Sequence, residues 1–260
     1  MPEIAEVARY VDQLNDKFKG STLHNVQFIG GRFLKEKQPI INFPLNNAQF
    51  NSKGKFIYWS FDEPVHFFVT LGMTGSFGQK NNYSGIEFQF YKDKIYFNDI
   101  RHFGTFKVTN PQELSKKLNS LGWDPLKNPW VPDNIYKKIF KFKNKTIAEV
   151  LLNQKIFCGV GNYIRSEVLY KSKINPLSLV QDLTESQIEN LCQEIIKIAK
   201  LAYIAGGNTF STYVDMYGNS GNFKFELEVY QQKNDPLGNL VERIVAPDGR
   251  SIYYVKEIQK

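Results

Sequence analysis

Cysteine and histidine are scarce in this chain of 260 residues. The two cysteines, Cys158 and Cys192, cannot form the disulfide framework of a small secreted domain. With three histidines, His24, His66 and His102, they are also too few for a zinc site of the usual Cys and His spacings. No apolar run reaches the roughly 18 residues that a membrane-spanning helix requires, so no membrane partner is expected. The basic, apolar and small-residue order of a signal peptide is also missing, so an intracellular protein is expected.

Acidic residues are in the minority. Against 33 Lys and Arg stand 26 Asp and Glu, a formal net charge of +7. A basic balance fits a polyanion partner, nucleic acid first, and equally a basic protein without one. With 42% hydrophobic residues the chain can bury a sizeable core, which excludes wholesale disorder.

The patterning changes along the chain. Residues 3–18 place Ile4, Val7, Ala8, Val11, Leu14 and Phe18 at helical spacing. Short β-rich runs follow at 23–29, 56–61, 66–70, 86–91, 95–98 and 104–108, separated by polar turns, which suggests a sandwich or barrel. The Pro-rich stretch 123–132 reads as a linker. Helical periodicity then covers 134–140, 147–152, 162–170 and about 184–205, the last opened by the capping sequence Thr184-Glu-Ser-Gln187. Strands are expected again at 225–231, 241–246 and 251–255. The fold class is therefore α+β. The expected divisions are a β-sandwich domain with a leading helix (1–122), a linker (123–132), a helical domain (133–222) and a β-hairpin tail (223–260).

The N-terminus carries candidate chemistry. If Met1 is removed, Pro2 presents a secondary amine whose pKa lies near ~8, lowered by the positive end of the helix that follows. Such an amine attacks a carbonyl-type carbon and yields a cationic iminium, an electron sink for elimination. Glu3 and Glu6, three residues apart, share a helix face beside it and suit general acid and base roles. The same residues also fit an ordinary helix start. Elsewhere, the lysine-rich run from Lys137 to Lys145 fits either a backbone-tracking surface or a solvated helix face.

Several motifs in order resemble the formamidopyrimidine-DNA glycosylase/endonuclease VIII family. They are Met1-Pro-Glu-Ile-Ala-Glu-Val7, Lys53-Gly-Lys55, Leu71-Gly-Met-Thr-Gly75, Asn98-Asp-Ile-Arg-His-Phe-Gly104, Leu121-Gly-Trp-Asp-Pro-Leu126, and Gln154-Lys155 leading to Gly159-Val-Gly-Asn162 and Ser166-Glu167. The resemblance implies a helix–two-turn–helix within the helical domain and a bifunctional DNA glycosylase and abasic-site lyase of base excision repair. It implies Pro2 as nucleophile at C1′, Glu3 as the acid at the sugar ring oxygen, Glu6 as a second carboxylate and Lys55 as a phosphate contact at the lesion. Asn162 and Lys155 are then DNA contacts, and Met73, Arg101 and Phe103 are inserted where the damaged base was extruded. Extrusion costs a few kcal/mol per lost stack, and apolar wedges can fill the gap. Taken without the motifs, residues such as Met73 and Phe103 are more often core residues.

The tail departs from the family pattern. Leu237, Leu240, Val255 and Ile258 stand where two Cys pairs hold zinc in most members. The expectation is a zincless finger, no metal and no cofactor, with the four apolar residues converging into a small core. Arg250, after Pro247-Asp-Gly249, resembles the finger arginine that grips phosphates. The expected partner is double-stranded DNA with an oxidised base or abasic site, bound by a monomer. The loop 206–221 resembles the oxidised-purine branch, so 8-oxoguanine and formamidopyrimidines are favoured. The alternatives are oxidised pyrimidines or a non-catalytic lesion-binding protein.

Overall fold

Apolar residues at helical spacing make α1 (Ile4–Phe18), which buries Ile4, Val7, Tyr10, Val11, Leu14 and Phe18. In the computed structural model, which describes residues 2–207 and 215–260, this helix lies against β2 (Gln49–Lys53) and β3 (Phe56–Ser60). Asn15 fixes the contact, because its side-chain amide donates to the Phe50 carbonyl and accepts from the Phe50 N–H.

Two four-stranded antiparallel sheets follow. One runs β1 (Leu23–Phe28), β6 (Ser84–Phe90), β7 (Lys94–Asp99), β5 (Gly75–Gly78); the other runs β2, β3, β4 (His66–Thr70), β8 (Thr105–Thr109). Alternate residues point into the space between them. Trp59 of one sheet packs against Phe88 of the other with ring centroids 4.6 Å apart, and Phe67, Phe77 and Phe106 complete an aromatic core. The expected sandwich is present. The sequence pattern did not reveal β2, β5 or the helix α2 (Pro111–Ser120). β5 is only four residues long, and α2 buries just Leu114, so neither has an apolar period to read.

The remaining helices are α3 (Ile135–Phe140), α4 (Ile147–Leu151), α5 (Asn162–Lys171) and α6 (Glu185–Ile204). The cap before α6 forms as the sequence suggests: Thr184 N–H donates to Gln187 Oε1 and Gln187 N–H to Thr184 Oγ1.

The chain divides into two compact units, Met1–Asn119 with Ala205–Asn222, and Ser120–Ile204 with Phe223–Lys260. This differs from the expected divisions in two ways. The stretch 123–132 is not a free linker, since Trp123 and Asp124 are buried and Trp123 exchanges backbone hydrogen bonds with Ile156 and Cys158. Residues 205–222 group with the first unit because Gln13 of α1 donates to Asp215 and accepts from the Met216 N–H.

The tail also corrects an expectation. No strand covers 225–231; Phe223–Glu226 is a 3-10 turn. The N–H groups of Glu228, Val229 and Tyr230 instead converge on the buried carboxylate of Glu167, so they are lost to any ladder. The hairpin that remains pairs β9 (Glu242–Val245) with β10 (Ser251–Tyr254). Among the described residues no helix is long and apolar enough to cross a membrane.

Candidate active site

The start of α1 buries its chemistry. Pro2 is buried, and the Glu3 and Glu6 side chains belong to residues only 2% and 1% exposed. Glu6 Oε2 accepts the Glu3 N–H at 2.7 Å, so the first helical turn holds its carboxylate beside the chain end. Helix-end N–H groups offset part of the cost of burying negative charge here. Lys55 lies in the two-residue turn between β2 and β3, where Lys53 pairs with Phe56. Gly54 takes φ +57°, as the first central residue of a tight hairpin turn requires. Lys53 is committed elsewhere, donating to the Leu118 carbonyl, while Lys55 sits at the hairpin tip.

Met73, Arg101 and Phe103 come together in the same unit. Met73 and Phe103 are exposed rather than in the core, and the Arg101 guanidinium lies 4.9 Å above the Phe103 ring. Gly72 takes φ +59°, and a Cβ there would come within 2.7 Å of the Phe103 carbonyl carbon. The turn carrying Met73 therefore touches the backbone carrying Phe103.

The second unit assembles another cluster. Asn162 opens α5 after Gly161, at a helix N-terminus suited to anions. Gln154 shapes the turn before it, accepting the Gly159 N–H and donating to the Val160 carbonyl. Lys155 is exposed in that turn. Asn162 Nδ2 donates to the Ser251 carbonyl. Arg250, its side chain 63% exposed, stands in the β9–β10 turn with Nη1 3.7 Å from Asp248 Oδ2. The run Lys137 to Lys145 is solvent-exposed at its lysines, and the rings of Tyr136 and Phe140 stack at 5.6 Å.

Sequence reasoning missed the side chains that hold these groups. Arg165 is fully buried and binds Asp248 Oδ2, the Ala148 and Ser251 carbonyls and Asn162 Oδ1. Glu167 is equally enclosed; burial pushes its carboxyl pKa up, against the pull of the three N–H donors. A readable signal did exist for the finger. Asp215-Met-Tyr-Gly-Asn219 and Asp235-Pro-Leu-Gly-Asn239 share one pattern, and both fold alike. Each aspartate accepts the N–H groups two and four residues on and the asparagine side-chain amide.

That finding overturns the expected convergence of four apolar residues. Leu237 and Leu240 are 76% and 63% exposed. Val255 joins a core of Tyr170, Val229 and Val241, with Ile258 packed on its edge. The turn that the leucines occupy is closed by Asp235, which also accepts from the Tyr170 hydroxyl. Leucine, valine and isoleucine offer no lone pairs to zinc, so a finger metal does not fit these residues. Among the described residues no three His, Cys, Asp or Glu side chains form a metal cluster. Within the loop expected to cap the lesion, 206–221, residues 208–214 lie outside the described residues.

The comparisons with known proteins agree over the whole chain. The family model described as the formamidopyrimidine-DNA glycosylase N-terminal domain matches residues 1–106, and the one described as its H2TH domain matches residues 121–214. The formamidopyrimidine-DNA glycosylase of Mycoplasma genitalium is 30% identical over 100% of this chain and 96% of its own length. That of Wolbachia pipientis subsp. Culex pipiens is 31% identical, with both chains covered fully. Among solved structures, a Lactococcus lactis Fpg mutant in complex with a Fapy-dG containing DNA superposes with a TM-score of 0.87 at 22% identity, over 100% of both chains. The MutM (Fpg) protein of Thermus thermophilus gives a TM-score of 0.86 at 24% identity, over 99% of this chain and 98% of that one. The buried carboxylates behind Pro2, the exposed Met73, Arg101 and Phe103 set, and the Asn162 turn thus occur in a chain that belongs to the formamidopyrimidine-DNA glycosylase family.

Proposed function

We propose that the protein is a bifunctional DNA glycosylase and abasic-site lyase of base excision repair, acting as a monomer on double-stranded DNA inside the cell. The observation that carries this reading is the pair of buried carboxylates, Glu3 and Glu6, on the first turn behind Pro2. Once Met1 is removed, the Pro2 amine attacks C1′ of the damaged nucleotide. Glu3 protonates the sugar ring oxygen, the ring opens and the base departs, leaving an iminium between Pro2 and the sugar. Loss of a proton from C2′ expels the 3′ phosphate, and a second elimination expels the 5′ phosphate. Hydrolysis of the iminium then frees the enzyme.

Lys55, Lys155, Asn162 and Arg250 contact phosphates in this reading, and Met73, Arg101 and Phe103 fill the space of the extruded base. The division of labour follows the sequence: residues 1–122 carry the reaction, the helix–two-turn–helix and the zincless finger 223–260 grip the backbone. 8-Oxoguanine and formamidopyrimidines are the favoured lesions, supported by the sequence of the 206–221 loop and by relatives named for formamidopyrimidine.

Borohydride trapping tests the chemistry. Wild-type protein with Met1 shown to be absent by intact mass is mixed with duplexes carrying an abasic site, 8-oxoguanine or an oxidised thymine. A covalent adduct that is lost in Pro2→Gly or after blocking of the terminal amine is expected, strongest with the purine lesion among the damaged bases. No adduct on any duplex overturns the enzymatic reading and leaves a lesion-binding protein. A strongest adduct on oxidised thymine moves the substrate to the pyrimidine branch.

A further inference from the structure

Met73 and the pair Arg101 and Phe103 leave the same end of one strand ladder. β5 begins at Gly75, directly after Met73 and Thr74; β7 ends at Asp99, directly before the loop 100–104; and Gly75 is the cross-strand partner of Asp99. At that junction the Asp99 carboxylate is buried. Its Oδ1 accepts the Thr74 hydroxyl at 2.5 Å and the Arg101 N–H at 3.2 Å, and its Oδ2 accepts the Gly104 N–H at 2.7 Å. The Thr74 hydroxyl oxygen accepts from the Arg101 N–H as well. Only an acceptor with lone pairs on both oxygens can satisfy these donors together.

We propose that Asp99 is a positioning residue that locks the two reading segments into one rigid insert, so that Met73, Arg101 and Phe103 enter the duplex as a unit. This inference rests on the glycosylase reading. Asp99 acts through the two segments it ties together, and its effect is confined to opening the stack. Bond making at C1′ proceeds without it. A pre-organised insert needs no ordering at the moment of extrusion, whereas two loose loops must be ordered as they enter.

The test compares an abasic site in a fully paired duplex with the same site in a single-stranded oligonucleotide, where no stack has to be opened. Single-turnover trapping rates are measured for wild type, Asp99→Asn, Thr74→Val and Thr74→Ser, at a temperature where circular dichroism shows each protein folded. Asparagine puts an NH₂ group where one carboxylate oxygen accepted an N–H. The duplex rate of Asp99→Asn should fall by about tenfold or more, in line with the cost of misplacing positioning groups. Its single-strand rate should stay within about twofold of wild type. Thr74→Val should show a smaller loss of the same kind, and Thr74→Ser, which keeps the hydroxyl, should restore the duplex rate. Fluorescence of a 2-aminopurine beside the site should report slower opening in Asp99→Asn. Equal losses on both substrates, or an unchanged ratio between them, overturn the proposal while leaving the glycosylase reading intact. A wild-type protein that traps neither substrate overturns that reading and this inference with it.

Discussion

The two clusters that hold the proposed DNA contacts are organised around opposite charges. In the first unit the Asp99 carboxylate gathers donors from Thr74, Arg101 and Gly104. In the second, the Arg165 guanidinium gathers acceptors from Ala148, Asn162, Asp248 and Ser251. Loops turn their N–H groups inward at tight bends, so a carboxylate suits a hub within one loop system. A guanidinium carries five donors in a fixed fork and can reach carbonyls on separate elements. Arg165 accordingly ties α5 to the β9–β10 turn, and with it places Asn162 next to the loop that bears Arg250.

The largest effect should come from removing the guanidinium hub. Arg165→Met takes the guanidinium away from the Asp248 carboxylate, the Ala148 carbonyl and Asn162 Oδ1, while the Ser251 carbonyl keeps the Asn162 side-chain amide. Breaking such a buried pair costs about 3 kcal/mol, with some relief because Asp248 is partly open to water. Urea denaturation should show that loss, and affinity for duplex DNA should fall with it. Retained stability would mean that water replaces the guanidinium, and the contrast between the two hubs would lose its force.

Acid should separate the Asp235 and Asp215 turns from the Arg165 hub, because a carboxylate can be neutralised and a guanidinium cannot. The finger hub Asp235 and its twin Asp215 both have lowered pKa values. Burial works in the opposite direction in each, and the hydrogen bonds outweigh it, chiefly from Asn239 to Asp235 and from Asn219 to Asp215. A group held below its unfolded pKa stabilises the fold above that unfolded value and loses its contribution as pH falls through the folded one. Amide exchange at Leu237, Asn239, Tyr217 and Asn219 should therefore quicken, by about tenfold relative to the pH trend of the core strands, as pH drops below ~4. On the alkaline side burial, with help from Asp235, pushes the Tyr170 hydroxyl up to about 12, so its bond to Asp235 is retained through neutral pH. Equal acceleration throughout the chain would indicate general acid unfolding instead.

Most of the architecture was legible because it rests on periodicity. The α1 stripe, the alternation in β3 and β4 and the Thr184 cap are all written in consecutive residues. The failures share a cause. Glu167 takes the N–H groups of residues about sixty positions away, which no local pattern announces, and so the expected strand at 225–231 is absent. Leu237 and Leu240 were read by hydrophobicity, yet their turn is set by Asp235 and they face solvent. The exposed candidate residues stand out through motif order, whereas Asp99 and Arg165 bind partners on other segments. Asp99 lies inside the run Asn98–Gly104, where no local pattern marks it as a hub.

The smallest effect on stability, and the sharpest contrast with Arg165, belongs to Arg250. Both arginines approach the same Asp248 oxygen, Arg165 at 2.9 Å from full burial and Arg250 at 3.7 Å from a largely exposed position. A long contact in water contributes little, so Arg250→Ala should change unfolding free energy by less than about 0.5 kcal/mol. Its guanidinium is then available to a phosphate, and losing one such contact should lower the slope of log affinity against log salt by about one. The weakening should be uniform across sequences, since phosphate contacts carry no base information. An unchanged salt slope would show that the finger arginine reaches no phosphate. The two arginines would then differ only in burial, with no division between a structural and a DNA-binding role.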